Sequence, residues 1–164
     1  MEPNKVSEKV DVISELRMIR LLPHDIAEQW PEIRRGIEQS LPPMEIFNDV
    51  NTRMTNVLEA LLSGMLKLHV FYRLFNNYPE PHGFIVTGES TSSDLVSRGL
   101  LIYAMYGYDV LTGKLFDETI ALIRLYAESK DLVSIFAYTD KEELKEKIRN
   151  IGGMADYSLL IIRV

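Results

Sequence analysis

The chain has 164 residues, 46% of them hydrophobic, which is the size and composition of one compact domain with its own core. Its net charge of −6 at pH 7 argues against the clustered basic surface that a nucleic-acid-binding protein needs. The absence of cysteine excludes disulfides, thiolate metal sites and cysteine nucleophiles.

The N-terminus predicts neither a leader nor a membrane anchor. Residues 1–10 mix acidic and basic side chains without an apolar stretch, so we expect no signal peptide. No apolar run approaches the roughly 18 residues of a membrane span. We therefore expect a soluble, cytoplasmic protein with no membrane or nucleic-acid partner, composed of a flexible segment at 1–10 and a single domain at 11–164.

The first predicted elements are a strand and a helix. Apolar residues place a strand at 16–22, and Pro23 ends it because proline cannot donate to a strand ladder. A stripe at helical spacing follows, with Pro31 inside it as either a kink or the first residue of a new turn. The stripe consists of Ile26, Trp30, Ile33, Ile37 and Leu41.

A second helix and an alternating strand come next. Asn48 or Asp49 is placed to cap this helix, and Gly64 fits the left-handed residue just past its end. Residues 65–73 alternate in the way that a half-buried strand does. One face carries Leu66, Leu68, Val70 and Tyr72, and the other carries Lys67, His69, Phe71 and Arg73.

The middle of the chain predicts two further strands joined by polar turns. Residues 76–83 hold asparagines, prolines and a glycine, which is a composition typical of a turn. A third strand begins at 84–87, a polar hairpin tip lies at 90–94, and a fourth strand covers 100–106.

The last part predicts an amphipathic helix at 113–129, a short buried strand at 132–138, a charged helix at 141–150 and a final strand at 157–164. The order of elements favours an α/β domain with a central mixed sheet and helices on both faces. The strands joined by a helix are expected to pair in parallel. The predicted core consists of Trp30, Leu58, Leu61, Leu68, Ile102, Ile120, Ile123, Ile135 and Leu144.

This order of elements resembles the GNAT superfamily of acyl-CoA N-acyltransferases. The strand, turn and helix at 100–124 lie where that family binds the pyrophosphate of its coenzyme. Residues 132–140 resemble its fifth strand, and residues 141–153 resemble its last helix. The resemblance implies that the fourth and fifth strands splay apart to form a slot for acetyl-CoA.

The early part of the chain is also similar to GNAT-like proteins carried by bacteriophages. The similarity lies in Trp30, Ile33, the Ser-Leu-Pro-Pro of 40–43 and the Leu-Leu-Ser-Gly of 61–64. It implies a component of a phage particle, in which case the protein is located within a virion.

The phosphate loop of the family, Gln/Arg-x-x-Gly-x-Gly/Ala, is altered in this chain. With Gly113 at its last position, Leu111 replaces the first glycine and Tyr108 replaces Gln/Arg. Because the backbone must approach the phosphates closely, we expect these two side chains to crowd the coenzyme.

The last helix departs from the family as well. The usual general acid of the family is a tyrosine on this helix, and Ile148 occupies its position. An isoleucine cannot transfer a proton. Gly153 replaces the aromatic residue of the Gly-aromatic pair, and Thr139 or Asp140 replaces the asparagine that often follows the fifth strand.

Candidate cofactor-binding residues remain at the turn before the third predicted helix. Gly107, Thr112, Gly113 and Lys114 form an anion-binding turn by resemblance, although an ordinary strand-to-helix turn explains them as well.

Tyr106 and Tyr108 are the candidate catalytic residues, since a phenol near the fourth strand can donate a proton. Packing within the strand, with the hydroxyl at a wet edge, explains them and Tyr103 better. Glu89 is a candidate base that a solvated hairpin charge explains better. The three histidines, His24, His69 and His82, show no metal-ligand spacing, so no metal site is predicted.

Two functions follow from these residues and the resemblance. The altered motifs favour a GNAT-like domain that is not catalytic and serves as a protein-binding or structural component, with a partner protein or self-assembly and no bound cofactor. The alternative is an acyl-CoA-dependent N-acetyltransferase with a divergent phosphate loop, in which positioning and the fourth-strand backbone carry the reaction.

Overall fold

The structure is a computed structural model that describes residues 15–40, 49–91, 98–107 and 113–156. Its described strands form one five-stranded sheet in the order β1-β2-β3-β4-β5. The elements are β1 (Arg17–Arg20), α1 (Pro23–Glu28), α2 (Trp30–Ser40), α3 (Val50–Leu62), β2 (Leu66–Phe75), β3 (Tyr78–Thr91), β4 (Arg98–Gly107), α4 (Gly113–Glu128), β5 (Ser134–Ala137) and α5 (Glu142–Asn150). The predicted final strand at 157–164 lies outside the described residues.

The sheet is mixed, as predicted. β1 to β4 pair with their neighbours in antiparallel fashion, whereas β5 pairs with β4 in parallel. The parallel pair follows from the chain path, because α4 carries the chain back across the sheet before β5 begins.

Helices cover both faces of the sheet. On one face α1, α2 and α3 pack over a buried cluster, and on the other face α4 packs over a second one. The first cluster consists of Ile26, Ile33, Ile37, Met54, Val57, Leu61, Leu68, Phe84, Val86 and Ala104. The second consists of Leu16, Phe71, Ile85, Leu100, Leu115, Ile123, Ala127 and Leu132. The predicted alternation of the second strand is confirmed, because Leu68 and Phe71 belong to opposite clusters.

Local signals set the helix boundaries near Pro31 and Asp49. Pro31 is the second residue of α2 rather than a kink, since α1 ends at Glu28 and a new helix begins at Trp30. The Asp49 side chain caps α3 by accepting a hydrogen bond from the Thr52 N–H at 2.9 Å. Gly64, with φ of +78°, follows the end of α3 as expected.

The turn predicted at 76–83 is wrong in extent, because β3 already begins at Tyr78. Asn76 and Asn77 have φ of +49° and +67°, and two left-handed residues are enough to close a tight hairpin. Pro79 and Pro81 are tolerated because this part of β3 pairs with β2 alone, before pairing with β4 starts at Gly83.

The predicted core is confirmed for Leu61, Leu68 and Ile123, which are buried. Five others are half-buried and pack against the edges of the two clusters, namely Trp30, Leu58, Ile102, Ile120 and Ile135. Leu144 is half-buried in α5, a helix without a buried residue. The prediction was too strong for these six because periodicity identifies the inward face of an element but not how deeply that element lies.

No helix in the described part of the chain is long and apolar enough to cross a membrane.

Candidate functional site

The sheet opens between β4 and β5. These strands pair from Gly99 with Ser134 to Ile102 with Ala137, where β5 ends, while β4 continues to Gly107. We call the point after the Ile102–Ala137 pair the fork. Within the described residues, β4 has a strand partner on only one side beyond the fork, and the expected splay of the two strands stays a prediction.

A β-bulge lies at the fork. On the β3 side Val86 pairs with Ala104 and Thr87 pairs with Ile102, so that Tyr103 is the extra residue of β4. Tyr103 and Ala104 consequently both pack on the face covered by α1, α2 and α3. A bulge interrupts the ladder and redirects side chains, and such features are frequent beside active sites.

The Tyr103 side chain reaches α3. Its hydroxyl accepts a hydrogen bond from Nε of Arg53, with the two atoms 3.5 Å apart. Both residues are half-buried. The fork thus carries a phenol and a guanidinium on its helix-covered face.

The first two residues of α4 are exposed. They are Gly113 and Lys114, and no acidic residue occupies the first turn. Lys114 is 83% exposed and lies 4.0 Å from the Glu118 carboxylate, which also pairs with Arg73. The unpaired N–H groups and partial positive charge of a helix start favour an anion there.

The other predicted residues of the phosphate turn are only partly placed. Gly107 ends β4 and is half-buried, whereas Tyr108, Leu111 and Thr112 lie outside the described residues. Their expected crowding of the coenzyme therefore stays a prediction.

Tyr106 occupies a packing position. Its ring lies 5.6 Å from that of Phe84, measured between centroids. A Cβ added at Gly36 of α2 would lie 2.9 Å from its Cδ1. The ring is therefore fixed beneath α2, and the packing interpretation of Tyr106 is the better supported one.

A small cavity lies on the opposite face, between the end of β4 and the first turns of α4. Its wall includes Phe71, His82, Met105, Leu115 and Thr119. Most of this lining is apolar, so the cavity offers space beside the helix start and few groups for chemistry.

Near the end of α5, Ile148 occupies the position that the resemblance assigns to a catalytic tyrosine. Ile148 is half-buried, and a Cβ added at Gly153 would lie 2.5 Å from its Cγ2. A side chain at position 153 would therefore require Ile148 to shift.

The remaining candidates have structural roles. Glu89 accepts from Lys67 at 3.0 Å and also pairs with Arg98, and these hydrogen bonds lower the pKa of its carboxyl. The described residues contain no cluster of three His, Asp or Glu side chains able to hold a metal ion.

His69 is buried beneath α4 with its ring centroid 4.6 Å from that of Tyr126. Burial lowers the pKa of His69 to about 4, with smaller contributions from the charges of Arg20, Lys67 and Lys130. The imidazole is neutral at pH 7 and belongs to the packing between sheet and helix.

Sequence reasoning missed two features of this site. Arg53 lies on the polar side of a helix where nothing distinguishes it from a surface arginine, and its proximity to Tyr103 depends on packing between α3 and β4. The bulge at Tyr103 carries no glycine or proline that would mark it.

No family model and no curated protein matches the sequence. Solved structures of acetyltransferases match its fold. A "possible acetyltransferase" from Clostridium difficile 630 is 15% identical, with 92% of this chain and 99% of that chain covered and a TM-score of 0.63.

Two further solved structures give the same result. A GNAT family acetyltransferase from Staphylococcus aureus is 7% identical, covers 92% of this chain and 99% of its own, and has a TM-score of 0.60. A predicted acetyltransferase from Clostridium acetobutylicum, solved with acetyl-CoA, is 14% identical, covers 90% and 96%, and has a TM-score of 0.59. The chain has the fold of the GNAT acetyltransferases.

Proposed function

We propose that the protein binds an acyl-CoA at the fork and transfers the acyl group to an amine. The observation that carries this proposal is the bulge at Tyr103, which lies directly after the last residue pair of β4 and β5. A bulge and an open strand edge at the same point expose backbone groups that would otherwise be paired within the sheet.

The open edge of β4 suits the amide-containing arm of coenzyme A. An extended chain of amides can add to an exposed strand edge through main-chain hydrogen bonds. The start of α4 suits the phosphates, because Gly113 adds no side chain and the first turn holds Lys114 but no acid. The expected phosphate site and thioester site thus lie at the two ends of one stretch of chain.

Positioning is the main contribution of the protein to such a reaction. The acyl-CoA supplies a thioester, whose carbonyl carbon forms a bond to the amine nitrogen as its bond to sulfur breaks. On this proposal, backbone N–H groups beside the bulge stabilise the charge that develops on the carbonyl oxygen. An amine held close to this carbonyl gains from proximity.

A missing acid at Ile148 is compatible with this chemistry. A thiol has a pKa near 8.5, so that the sulfur leaves as a thiolate without prior protonation, and the amine proton passes to water. The loss of the family's tyrosine is therefore expected to reduce the rate rather than abolish the reaction.

A second candidate is the non-catalytic protein-binding or structural component, of a phage particle if the gene is phage-borne. Its support lies in Ile148 at the acid position and in Leu111 and Tyr108 within the phosphate loop. On this hypothesis the fork is inherited with the fold and has no ligand.

Thermal unfolding with acetyl-CoA separates the two. A ligand at 100 times its Kd stabilises a native protein by about 2.7 kcal/mol, which raises the Tm of a domain of this size by on the order of 5–10 °C. We expect a shift of this kind with acetyl-CoA and a smaller one with acetyl-pantetheine, which lacks the pyrophosphate. Release of free CoA thiol in the presence of amines then tests transfer.

A charge reversal at the helix start makes the test specific. Lys114→Glu is expected to weaken acetyl-CoA binding, whereas Lys141→Glu, the same change at an exposed lysine before α5, is the matched control. Absence of any shift in the wild type at millimolar acetyl-CoA would favour the non-catalytic candidate.

A further inference from the structure

Arg53 differs from the other cationic side chains of the molecule. Arg53 is half-buried and forms no ion pair within the described residues. The other half-buried arginines and lysines among these residues have carboxylate partners. These others are Arg34, Lys67, Arg73, Lys145 and Lys147. A partly desolvated charge without a counter-charge is unfavourable and is often kept for a ligand.

Glu38 of α2 and Asp49, the cap of α3, have partners other than Arg53. Glu38 pairs with Arg34 at 2.7 Å, and Asp49 accepts from the N–H and the hydroxyl of Thr52 as the cap of α3. Neither carboxylate neutralises Arg53. The hydroxyl of Tyr103 is the hydrogen-bond partner of its guanidinium.

The position of the pair relates it to the fork. Tyr103 is the first residue after the last β4–β5 pair, and its ring packs on the face covered by α1, α2 and α3. The guanidinium of Arg53 therefore lies beside the point where the proposed acyl group would meet its acceptor. A ligand group bound there would arrive from the helix-covered face of the sheet.

We propose that Arg53 and Tyr103 bind an anionic group, carboxylate or phosphate, carried by the acceptor amine. This inference rests on the proposed function, because it names the acceptor class of the same site. A guanidinium presents several N–H donors in a plane that matches carboxylate and phosphate oxygens. The phenol of Tyr103 accepts from Arg53 and still has its own proton to donate to the ligand.

The experiment compares acceptors that differ in charge. Amino acids, the corresponding amino acid amides, phosphoethanolamine and ethanolamine are offered with acetyl-CoA, and release of CoA thiol is followed. We expect the anionic acceptors to exceed their neutral analogues by about tenfold or more in kcat/KM, which is the value of one charge-assisted hydrogen-bond pair. Carboxylate and phosphate acceptors are compared with each other to identify the source of the anion.

Variants then assign the preference to the pair. Arg53→Met is expected to remove the preference mainly through KM, Arg53→Lys to retain part of it, and Tyr103→Phe to reduce it. Arg35→Met is the matched control, because Arg35 is an exposed arginine of the neighbouring helix. Equal use of acids and amides by the wild type, or an unchanged preference in Arg53→Met, would overturn the inference.

Binding measurements separate this inference from the proposed function. If acetyl-CoA neither stabilises the protein nor releases thiol with any amine, the proposed function fails. Tm shifts with the amino acids alone then decide on the anion site. Stabilisation of the wild type but not of Arg53→Met supports the site without the transfer reaction, and equal shifts in both proteins overturn the site as well.

Discussion

The fork lies in the hydrogen-bonded backbone of the sheet, whereas position 148 of α5, which the resemblance assigns to the catalytic tyrosine of the GNAT family, is a single isoleucine side chain. The fork arises from strand register and from a bulge, which belong to the hydrogen-bonded backbone. A catalytic acid depends on a single side chain, and one substitution removes it. The backbone of a site is therefore set by many residues together, whereas its side-chain chemistry depends on single positions.

The largest expected effect concerns the packing of α4 against the sheet. Ile123 is buried between α4 and the sheet, and Ile123→Ala should lower the free energy of unfolding by about 2–5 kcal/mol, because it leaves a cavity. Denaturant titration measures this loss. Leu125→Ala, at a side chain 62% exposed on the same helix, should be nearly neutral, and similar effects at both positions would contradict the helix orientation.

Acid should weaken the packing between α4 and the sheet, because the buried His69 then has to take up a proton. The folded-state pKa is about 4 and the unfolded one is about 6.5, so the unfolded chain binds more protons between these values. The stabilising effect of neutral His69 is thus complete above about pH 6.5 and is lost as the pH falls toward 4, by about 3 kcal/mol in total.

The variant His69→Leu separates the part of the acid-induced loss of stability that is due to His69 from the part that is due to carboxylates. His69 is 3% exposed and faces Tyr126, with Arg20, Lys67 and Lys130 as the nearby charges. Denaturant titrations at pH 7 and pH 4.5 should show a smaller acid-induced loss in His69→Leu than in the wild type. Equal losses in both proteins would show that the pKa of His69 is not lowered in the folded protein.

Gly83 tests how tightly the backbone is packed where β3 pairs with the end of β4. A Cβ added there would lie 2.3 Å from the carbonyl oxygen of Tyr106, so Gly83→Ala should destabilise the protein by about 1–3 kcal/mol through overpacking. Gly113→Ala is the matched control, since nothing lies within 4 Å of the added Cβ. Thermal unfolding compares the two, and tolerance of both changes would mean that β3 and β4 shift easily.

The smallest expected effect concerns a proton donor at position 148 of α5. Ile148→Tyr restores a proton donor to α5, and we expect it to raise kcat for acetyl transfer by less than about tenfold, because a thiolate leaves without assistance. Steady-state release of CoA thiol measures the change, with Ile148→Phe as the control for ring size. An increase of several hundredfold would show that the missing acid limits the reaction.

The order of elements from β1 to α5 was predictable from the sequence, apart from the break between α1 and α2, and so were the mixed sheet, the parallel β4–β5 pair and the helices on both faces. Apolar periodicity and helix caps such as Asp49 act over a few residues, so they can be recognised without knowledge of the fold. The phosphate loop at 108–112 was predicted to be altered, and its residues lie outside the described part of the chain.

The tertiary structure alone decided the features on which the site depends. The extra residue at Tyr103 results from the register between β3 and β4, and register is set by neighbouring strands rather than by the residue itself. The contact of Tyr103 with Arg53 joins positions that are 50 residues apart. Such contacts follow from how α3 packs on the sheet, because a side chain's partners across the fold are not encoded in its local pattern.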